Sequence, residues 1–147
     1  MLVREFMHFD PVTIGPDTPL LEAEWRMQEG GFRHVPIVDA YDRLVGIVSD
    51  RDLREAAPSD ATALSRQELT YLLSRLRVRD VMKAPVLTAR PGEPAETAAI
   101  RMREHRVGAL PVVEDERLVG IITTSDMLEA LVMMLEAQRT GRKAGDS

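Results

Sequence analysis

Two copies of one sequence pattern follow each other in this chain, and the duplication limits the possible folds more than any other feature. Residues 43–47 (RLVGI) recur unchanged at 117–121. Other matches keep their order on both sides of this run: Val3, Arg4, Met7, Pro16, Pro19, Arg26 and Met27 with Val78, Arg79, Met82, Pro91, Pro94, Arg101 and Met102, then Asp52, Glu55 and Ala56 with Asp126, Glu129 and Ala130. Chance similarity would not preserve order and spacing, so we interpret the chain as a tandem repeat.

Each copy has the pattern of a small βαββα unit. In the first copy, Thr18 is a predicted helix N-cap, Pro19 takes the first helical position, and Gly30-Gly31 ends the helix. The predicted strands are 12–14, 34–38 and 44–49 in the first copy and 86–88, 110–113 and 118–123 in the second, with closing helices from Asp50 and Thr124. One such unit buries too little apolar surface to be stable alone. We therefore predict an α+β fold in which two repeats pack face to face about a pseudo-two-fold axis.

These patterns divide the chain into repeat 1 (3–57), a helical linker (58–77), repeat 2 (78–131), and a helix end with a disordered tail (132–147). The linker leucines at 69, 72, 73 and 76 have the spacing of an amphipathic helix. Ser65 and Glu68 have capping-box spacing, and Leu64 with Leu69 has that of a hydrophobic staple. The apolar stripe could pack within the module or across a dimer interface, and the sequence leaves both open.

Composition and missing motifs exclude several function classes. The chain has no cysteine, which excludes disulfides and thiolate metal sites and fits a reducing cytoplasm. No apolar run approaches the roughly 20 residues of a membrane helix, and no signal pattern opens the chain. The net charge of −5 disfavours nucleic-acid binding, which depends on neutralising phosphates. No P-loop, HExxH or GxSxG motif is present, so we expect a cytoplasmic protein that is not an enzyme.

The end of the third strand in each copy carries the candidate site. Ser49 is followed three residues later by Asp52, and Thr123 by Asp126. One interpretation is purely structural, because this spacing is that of a capping box at a helix start. The other is functional: a hydroxyl and a carboxylate at a helix N-terminus can accept the vicinal hydroxyls of a ribose, and the free N–H groups favour a phosphate. Spacing alone leaves both interpretations open.

The succession of M-x₃₋₄-P-V, a helix, h-P-h-V-[DE] and R-L-V-G-I-h-[ST]-x-x-D (h, apolar) resembles the CBS domain, named after cystathionine β-synthase. The resemblance extends from Val3 to about Leu131, and the helical insert is similar to that of stand-alone bacterial AcuB-like CBS pairs. It implies a paired arrangement, often called a Bateman module, that binds adenosine compounds in clefts between the repeats. By position it makes Ser49, Asp52, Thr123 and Asp126 the ribose-binding residues.

The residues expected to face phosphate are unequal in the two repeats. Arg33 and His34 precede the second strand of repeat 1, and Arg51 lies inside its motif; their counterparts are Gly108, Ala109 and Ser125. Solvated surface is the alternative for the two arginines, and a core or hydrogen-bonded role for His34. Two unequal sites follow if all three basic groups bind phosphate. Thr13 and Thr88 are further cleft candidates, whereas His8 and His105 are expected to be surface residues.

We expect a regulatory module that binds AMP, ADP, ATP or S-adenosylmethionine and that forms a homodimer, as the resemblance implies for such pairs. One alternative is a ligand-free structural or protein-interaction module whose hydroxyl–carboxylate pairs act only as helix caps. A second, metal or DNA binding, is disfavoured by the net acidity and by the lack of His/Cys clusters. The ligand, the number of occupied clefts and the regulated partner are not encoded in any motif.

Overall fold

A computed structural model describes residues 1–56 and 65–145, with the side chains of 143–145 left aside. Its elements are a 3₁₀ helix (Val3–Glu5), β1 (His8–Phe9), α1 (Leu20–Gly30), β2 (His34–Val38), β3 (Leu44–Ser49), α2 (Asp50–Glu55), α3 (Arg66–Ser74), α4 (Val78–Val81), α5 (Ala95–His105), β4 (Ala109–Glu114), β5 (Arg117–Thr123) and α6 (Thr124–Gly145). The chain forms two compact units. The repeat-1 unit holds Pro11–Leu87 with Asp115–Leu118, and the repeat-2 unit holds Met1–Asp10, Thr88–Glu114 and Val119–Ser147.

The sheet of the repeat-1 unit is an antiparallel pair of β2 and β3, and both strands have the predicted bounds. The predicted strand 12–14 is reduced to one parallel bridge, in which Ile14 pairs with Ile37. In the repeat-2 unit the matching bridge is Ala89–Val112, so the strand predicted at 86–88 was placed one residue too early. Prolines on both sides of these segments lack the N–H that a longer ladder would need. The two bridges occupy equivalent positions in the two units.

Helix α1 begins one residue later than predicted. Its N-cap is Pro19, which has no side chain to act as an acceptor, so the predicted cap by Thr18 was wrong. The backbone N–H of Leu20 instead donates to the carbonyl of Leu76 at 2.9 Å, which satisfies one of the free donors of the first turn. Gly31 ends the helix with a φ of 67°, as predicted for a glycine C-cap.

The insert contains helix α3, where the leucine spacing predicted a helix, and the last leucine of the predicted stripe, Leu76, lies beyond its end. The Ser65 hydroxyl accepts a hydrogen bond from the Glu68 N–H at 3.1 Å and caps the helix. Leu64, the partner in the predicted staple, lies outside the described residues. Helix α3 contacts α1, yet its leucines at 69 and 73 are only half-buried and Leu72 is exposed. A single unit therefore leaves part of this apolar stripe uncovered.

The leading segment of each repeat packs on the unit built mainly from the other repeat. We define the leading segments as residues 3–10 and 78–85. Val3 is fully buried in the repeat-2 unit, and Val78 is fully buried in the repeat-1 unit. The first segment adds β1 as an antiparallel edge strand beside β5, and the second adds a backbone bridge beside β3. Each unit thus combines one leading segment with the helices and strands of the other repeat.

The glycine of the repeated RLVGI run makes room for the leading segments. A Cβ on Gly46 would lie 2.5 Å from the Met82 sulfur, and one on Gly120 would lie 2.7 Å from the His8 carbonyl oxygen. Neither glycine has a positive φ, so backbone conformation does not require it at these positions. One close approach that each unit contains therefore explains the glycine of the run in both repeats.

Helix α6 extends well past its packed part. Ala130 is buried, and every residue from Leu131 to Arg142 is exposed. The helix continues to Gly145, so the disordered tail predicted at the end of 132–147 is wrong as far as that residue. Ala, Arg and Lys have high helix propensity, and the Thr140 hydroxyl donates to the Glu136 carbonyl at 3.0 Å. The last two residues lie outside the described part of the chain.

Candidate functional site

The candidate site of the repeat-1 unit lies where β3 passes into α2. The Asp52 N–H donates to the Ser49 hydroxyl at 3.1 Å, and the Ser49 N–H donates to Asp52 Oδ2 at 2.8 Å. These reciprocal bonds form the capping box that the spacing predicted. Asp52 is only 8% exposed, so a nearly buried carboxylate is held at a helix N-terminus.

The repeat-2 unit has the same arrangement where β5 passes into α6. The Thr123 N–H and hydroxyl both donate to Asp126 Oδ2, at 2.8 and 3.0 Å. Asp126 is also 8% exposed. The helix start in each unit is further fixed by one backbone bond, from the Asp50 N–H to the Arg33 carbonyl or from the Thr124 N–H to the Gly108 carbonyl. Capping uses the same carboxylate oxygen, Oδ2, in both units.

The second oxygen of each carboxylate faces a basic side chain. Asp52 Oδ1 lies 3.5 Å from the Lys83 ammonium, and Asp126 Oδ1 lies 2.9 Å from His8 Nε2. Both basic side chains are largely exposed, at 69% and 71%. One carboxylate oxygen is therefore committed to the fold, while the other contacts a basic side chain that is itself largely exposed.

Backbone pairing positions these two basic residues. Lys83 forms a two-way bridge with Ile47, through bonds of 2.9 and 3.1 Å, and His8 pairs with Ile121 in the same antiparallel sense. Side chains at paired positions share a face of the sheet. Lys83 and His8 are thus set beside the ends of β3 and β5, where the carboxylates lie.

His34 begins β2, next to the Asp52 site. Burial lowers the pKa of His34 below its ordinary value; the negative charges of Asp50 and Asp52 oppose this change, and the positive charge of Arg33 adds to it. His34 therefore favours its neutral form. A hydrogen-bonding contribution from the imidazole fits this environment better than a fixed positive charge.

The other predicted phosphate residues are on the surface. Arg51 is exposed, and its Nε donates to Glu55 at 3.0 Å within α2. Arg33 is exposed and contributes its backbone carbonyl to the start of α2. Both arginines belong to the repeat-1 unit, while Gly108 and Ser125 occupy the equivalent positions of repeat 2. The three predicted basic groups therefore all belong to the repeat-1 unit, and their binding of phosphate stays a prediction.

The two predicted threonines are half-buried. Thr13 lines a surface cavity of about 460 Å³ between residues 13–18 and 38–40, and none of the other predicted ligand residues lines that cavity. The carbonyl of Thr88 accepts a bond from Arg101 at 2.8 Å, and Arg101 also holds Glu93. No contact within the described residues places either threonine hydroxyl beside a carboxylate of the candidate sites. Their ligand roles stay predictions.

The sequence patterns did not identify Lys83 or the contact that His8 makes. His8 is exposed, as expected, yet its ring holds Asp126. The alignment of Met7 with Met82 contained the signal, because it places two basic residues at equivalent positions directly after the matched methionines. Their relevance depends on the exchange of leading segments, which the alignment does not show.

The arrangement suits recognition of a neutral polar group next to an anion. A carboxylate oxygen accepts hydroxyl donors, and the nearby cation can meet a negative charge. No described residues form a group of three or more His, Cys, Asp or Glu side chains that could hold a metal ion. Nor is any helix among the described residues both long and apolar enough to cross a membrane.

The chain belongs to the CBS domain family: the family model matches residues 3–59 and 78–133. The structure of a protein described as an acetoin utilization protein (AcuB) from Vibrio cholerae is 36% identical, covers 95% of this chain and 96% of its own, and superposes with a TM-score of 0.76. The predicted family, the mixed helix-and-strand class and the likeness to AcuB-like pairs are confirmed.

Two further solved structures carry adenosine compounds. The CBS domain pair of protein MJ0100, in complex with 5′-methylthioadenosine and S-adenosyl-L-methionine, is 27% identical over 91% of this chain and 98% of its own (TM-score 0.77). CBSX2 in complex with AMP is 30% identical over 90% of this chain and 97% of its own (TM-score 0.72). Relatives named as enzymes are larger: the chain spans 22% of the L-aspartate semialdehyde sulfurtransferase of Methanocaldococcus jannaschii.

Proposed function

We propose that this CBS pair is a cytoplasmic, non-catalytic regulatory module that binds an adenosine-type ligand. The observation that carries the proposal is the divided role of Asp52 and Asp126. In each unit Oδ2 completes the helix cap, and Oδ1 faces an exposed basic side chain. Capping and ligand binding are therefore compatible, because different oxygens serve them.

Ribose recognition would use these Oδ1 atoms together with the hydroxyls of Ser49 and Thr123. Two vicinal hydroxyls can donate to one carboxylate, and hydrogen bonds to a charged acceptor contribute about 1.5–3 kcal/mol each. The ligand complexes of MJ0100 and CBSX2 support an adenosine compound as the ligand class. In the repeat-1 unit the charges of Arg33 and Arg51, with the His34 imidazole as a hydrogen-bonding group, support a phosphorylated ligand. The uncharged residues at the equivalent positions of repeat 2 support S-adenosylmethionine or adenosine for the other unit.

A thermal-shift panel tests the proposal on wild-type protein. AMP, ADP, ATP, adenosine, NAD, S-adenosylmethionine and magnesium chloride are compared with UMP as the base control. A ligand at 100 times its Kd stabilises the folded state by about 2.7 kcal/mol, so at least one adenosine compound should raise Tm clearly. An unchanged Tm with every compound at millimolar concentration would leave the ligand-free interaction module as the better account.

Helix α6 supports a second element of the proposal, the homodimer. Apolar residues that are about half exposed or more lie close together on its first half: Leu128, Leu131, Val132, Met133, Met134 and Leu135. Exposed apolar side chains concentrated in this way are typical of a protein–protein contact, so we expect a partner to cover them. A second copy of the chain is the occupant we propose.

Charge favours an antiparallel pairing of two α6 helices. Glu129 and Glu136 precede Arg139 and Arg142, so the acidic and basic groups are separated along the helix. Antiparallel packing centred near Leu135 brings Glu129 of one copy close to Arg142 of the second, whereas parallel packing places like charges together. Such a two-fold contact is self-complementary and closes as a dimer.

Light scattering at micromolar concentration tests the assembly. We expect twice the mass of the 16.4 kDa chain for wild type and the mass of one chain for Leu131→Glu/Leu135→Glu. Leu72→Glu on α3 is the matched control and should stay dimeric if α6 forms the contact. A wild-type mass of one chain would refute the homodimer, and dissociation by the α3 control alone would move the contact to the insert.

A further inference from the structure

The residue directly after the matched methionine is basic in both leading segments, but the two residues differ in chemistry. Lys83 follows Met82, and His8 follows Met7. Lys83 contacts Oδ1 of Asp52, and His8 contacts Oδ1 of Asp126. Equivalent backbone pairs, with Ile47 and Ile121, hold them there. The two sites therefore share one geometry and differ in the cation.

The two contacts differ in strength. The Lys83 ammonium stands 3.5 Å from Asp52 Oδ1, longer than an ordinary charged hydrogen bond, on a side chain that is 69% exposed. Exposed ion pairs of this kind contribute little, and the four-carbon stem lets the ammonium move to another anion. His8 Nε2 lies 2.9 Å from Asp126 Oδ1, within hydrogen-bonding distance, on a shorter and stiffer side chain. Asp52 Oδ1 is thus released to a ligand more easily than Asp126 Oδ1.

We propose that these residues select the ligand: Lys83 gives the repeat-1 unit its preference for a 5′-phosphorylated adenosine, and His8 leaves the repeat-2 unit to adenosyl compounds without a 5′-phosphate. This inference rests on the proposed function, because it assumes that the carboxylates bind ribose. A ribose on Asp52 carries its 5′-substituent within reach of the ammonium that it displaces. Lys83 then pairs with phosphate and Asp52 with the hydroxyls, so neither charge is left without a partner.

Lys83 is favoured as the phosphate-selecting residue over those basic groups of this unit that are paired elsewhere or favour a neutral form. Arg51 is paired with Glu55. Burial lowers the pKa of His34, which favours the neutral form of its side chain. Arg54, on the same helix as Asp52, lies 3.9 Å from Asp50. Among the described ion pairs, Lys83 makes the one that reaches the buried carboxylate of this unit.

Calorimetry with AMP and adenosine tests the selection, one site at a time. In the full chain carrying Asp126→Asn, only the repeat-1 site keeps its ribose carboxylate. There Lys83→Gln should weaken AMP binding about tenfold or more and change adenosine binding less than about twofold, since one charge-assisted bond is lost. Arg54→Gln removes the same charge from the same unit and should leave the AMP-to-adenosine ratio unchanged.

The reciprocal change is made at His8. In the chain carrying Asp52→Asn, His8→Lys should strengthen AMP binding about tenfold relative to adenosine. If AMP still binds but its ratio to adenosine is unchanged by Lys83→Gln, or if that substitution weakens both ligands equally, the selection role is wrong while the proposed function stands. If wild type binds neither compound, the proposed function fails and this inference fails with it.

Discussion

Replacing the glycine of the repeated run should have different costs in the two units. A Cβ at Gly46 meets the Met82 sulfur at 2.5 Å and the Met82 Cγ at 3.0 Å, both on a flexible side chain. A Cβ at Gly120 meets the His8 carbonyl oxygen at 2.7 Å, an atom of the paired backbone. Overpacking costs about 1–3 kcal/mol and sometimes more, so we expect about 1–2 kcal/mol for Gly46→Ala and about 3 kcal/mol or more for Gly120→Ala.

Urea unfolding of the two variants measures these costs, with Gly92→Ala as the control. A Cβ on Gly92 meets nothing within 4 Å, so that change should be neutral or stabilise by up to about 1 kcal/mol. In a Met82→Ala background, the cost of Gly46→Ala should fall by about 1 kcal/mol, because the sulfur and Cγ are gone. Equal costs at Gly46 and Gly120, or no coupling to Met82, would refute the account of the leading segments.

Two further predictions concern stability. Because burial lowers the pKa of His34, the unfolded chain binds more protons at this residue, and the free energy of unfolding should fall as the pH drops below the ordinary histidine value of 6.5. His34→Gln should reduce this pH dependence in urea titrations, and an unchanged dependence of the free energy of unfolding on pH would contradict the prediction. Arg101 donates to Glu93 at 2.7 Å and to the Thr88 carbonyl, so Arg101→Met should lower the free energy of unfolding by about 1–3 kcal/mol. Arg51→Met on the exposed surface should lower it by less than about 0.5 kcal/mol, and equal losses would contradict a stabilising role of the partly buried network.

Local chemistry decided how much of the fold the sequence could predict. The bounds of β2 and β3 follow from β-branched runs on either side of a polar turn, after the glycine pair that ends α1. The starts of α2 and α6 follow from Ser49 and Thr123. The start of α1 depended on a backbone bond to Leu76, which is remote in sequence, so Thr18 was misassigned as the cap. Periodicity reports local structure and carries no information on such a contact.

The sequence predicted the two carboxylates of the candidate sites but not the basic side chains that contact them. Spacing identifies a hydroxyl and an acid at a helix start, and the structure assigns Oδ2 of each acid to capping. The basic partners of Oδ1 come from the leading segments: Lys83 leads repeat 2 and contacts Asp52 of the repeat-1 unit, and His8 leads repeat 1 and contacts Asp126 of the repeat-2 unit. Neither composition nor the repeat alignment contains that exchange, which the packing of Val3 and Val78 produces.

The central claim is that Asp52 and Asp126 hold a ligand with one oxygen while they cap a helix with the other. Calorimetry with AMP and adenosine on wild type, Asp52→Asn and Asp126→Asn tests it most directly, alongside urea unfolding of the same proteins. Asn can keep the capping oxygen but replaces Oδ1 with an amide donor. We expect wild type to bind, and each variant to lose about tenfold or more in affinity at its own site, with less than about 1 kcal/mol lost in the free energy of unfolding. Variants that bind both compounds as wild type does, or that lose stability alone, would contradict the claim and leave the two carboxylates as helix caps.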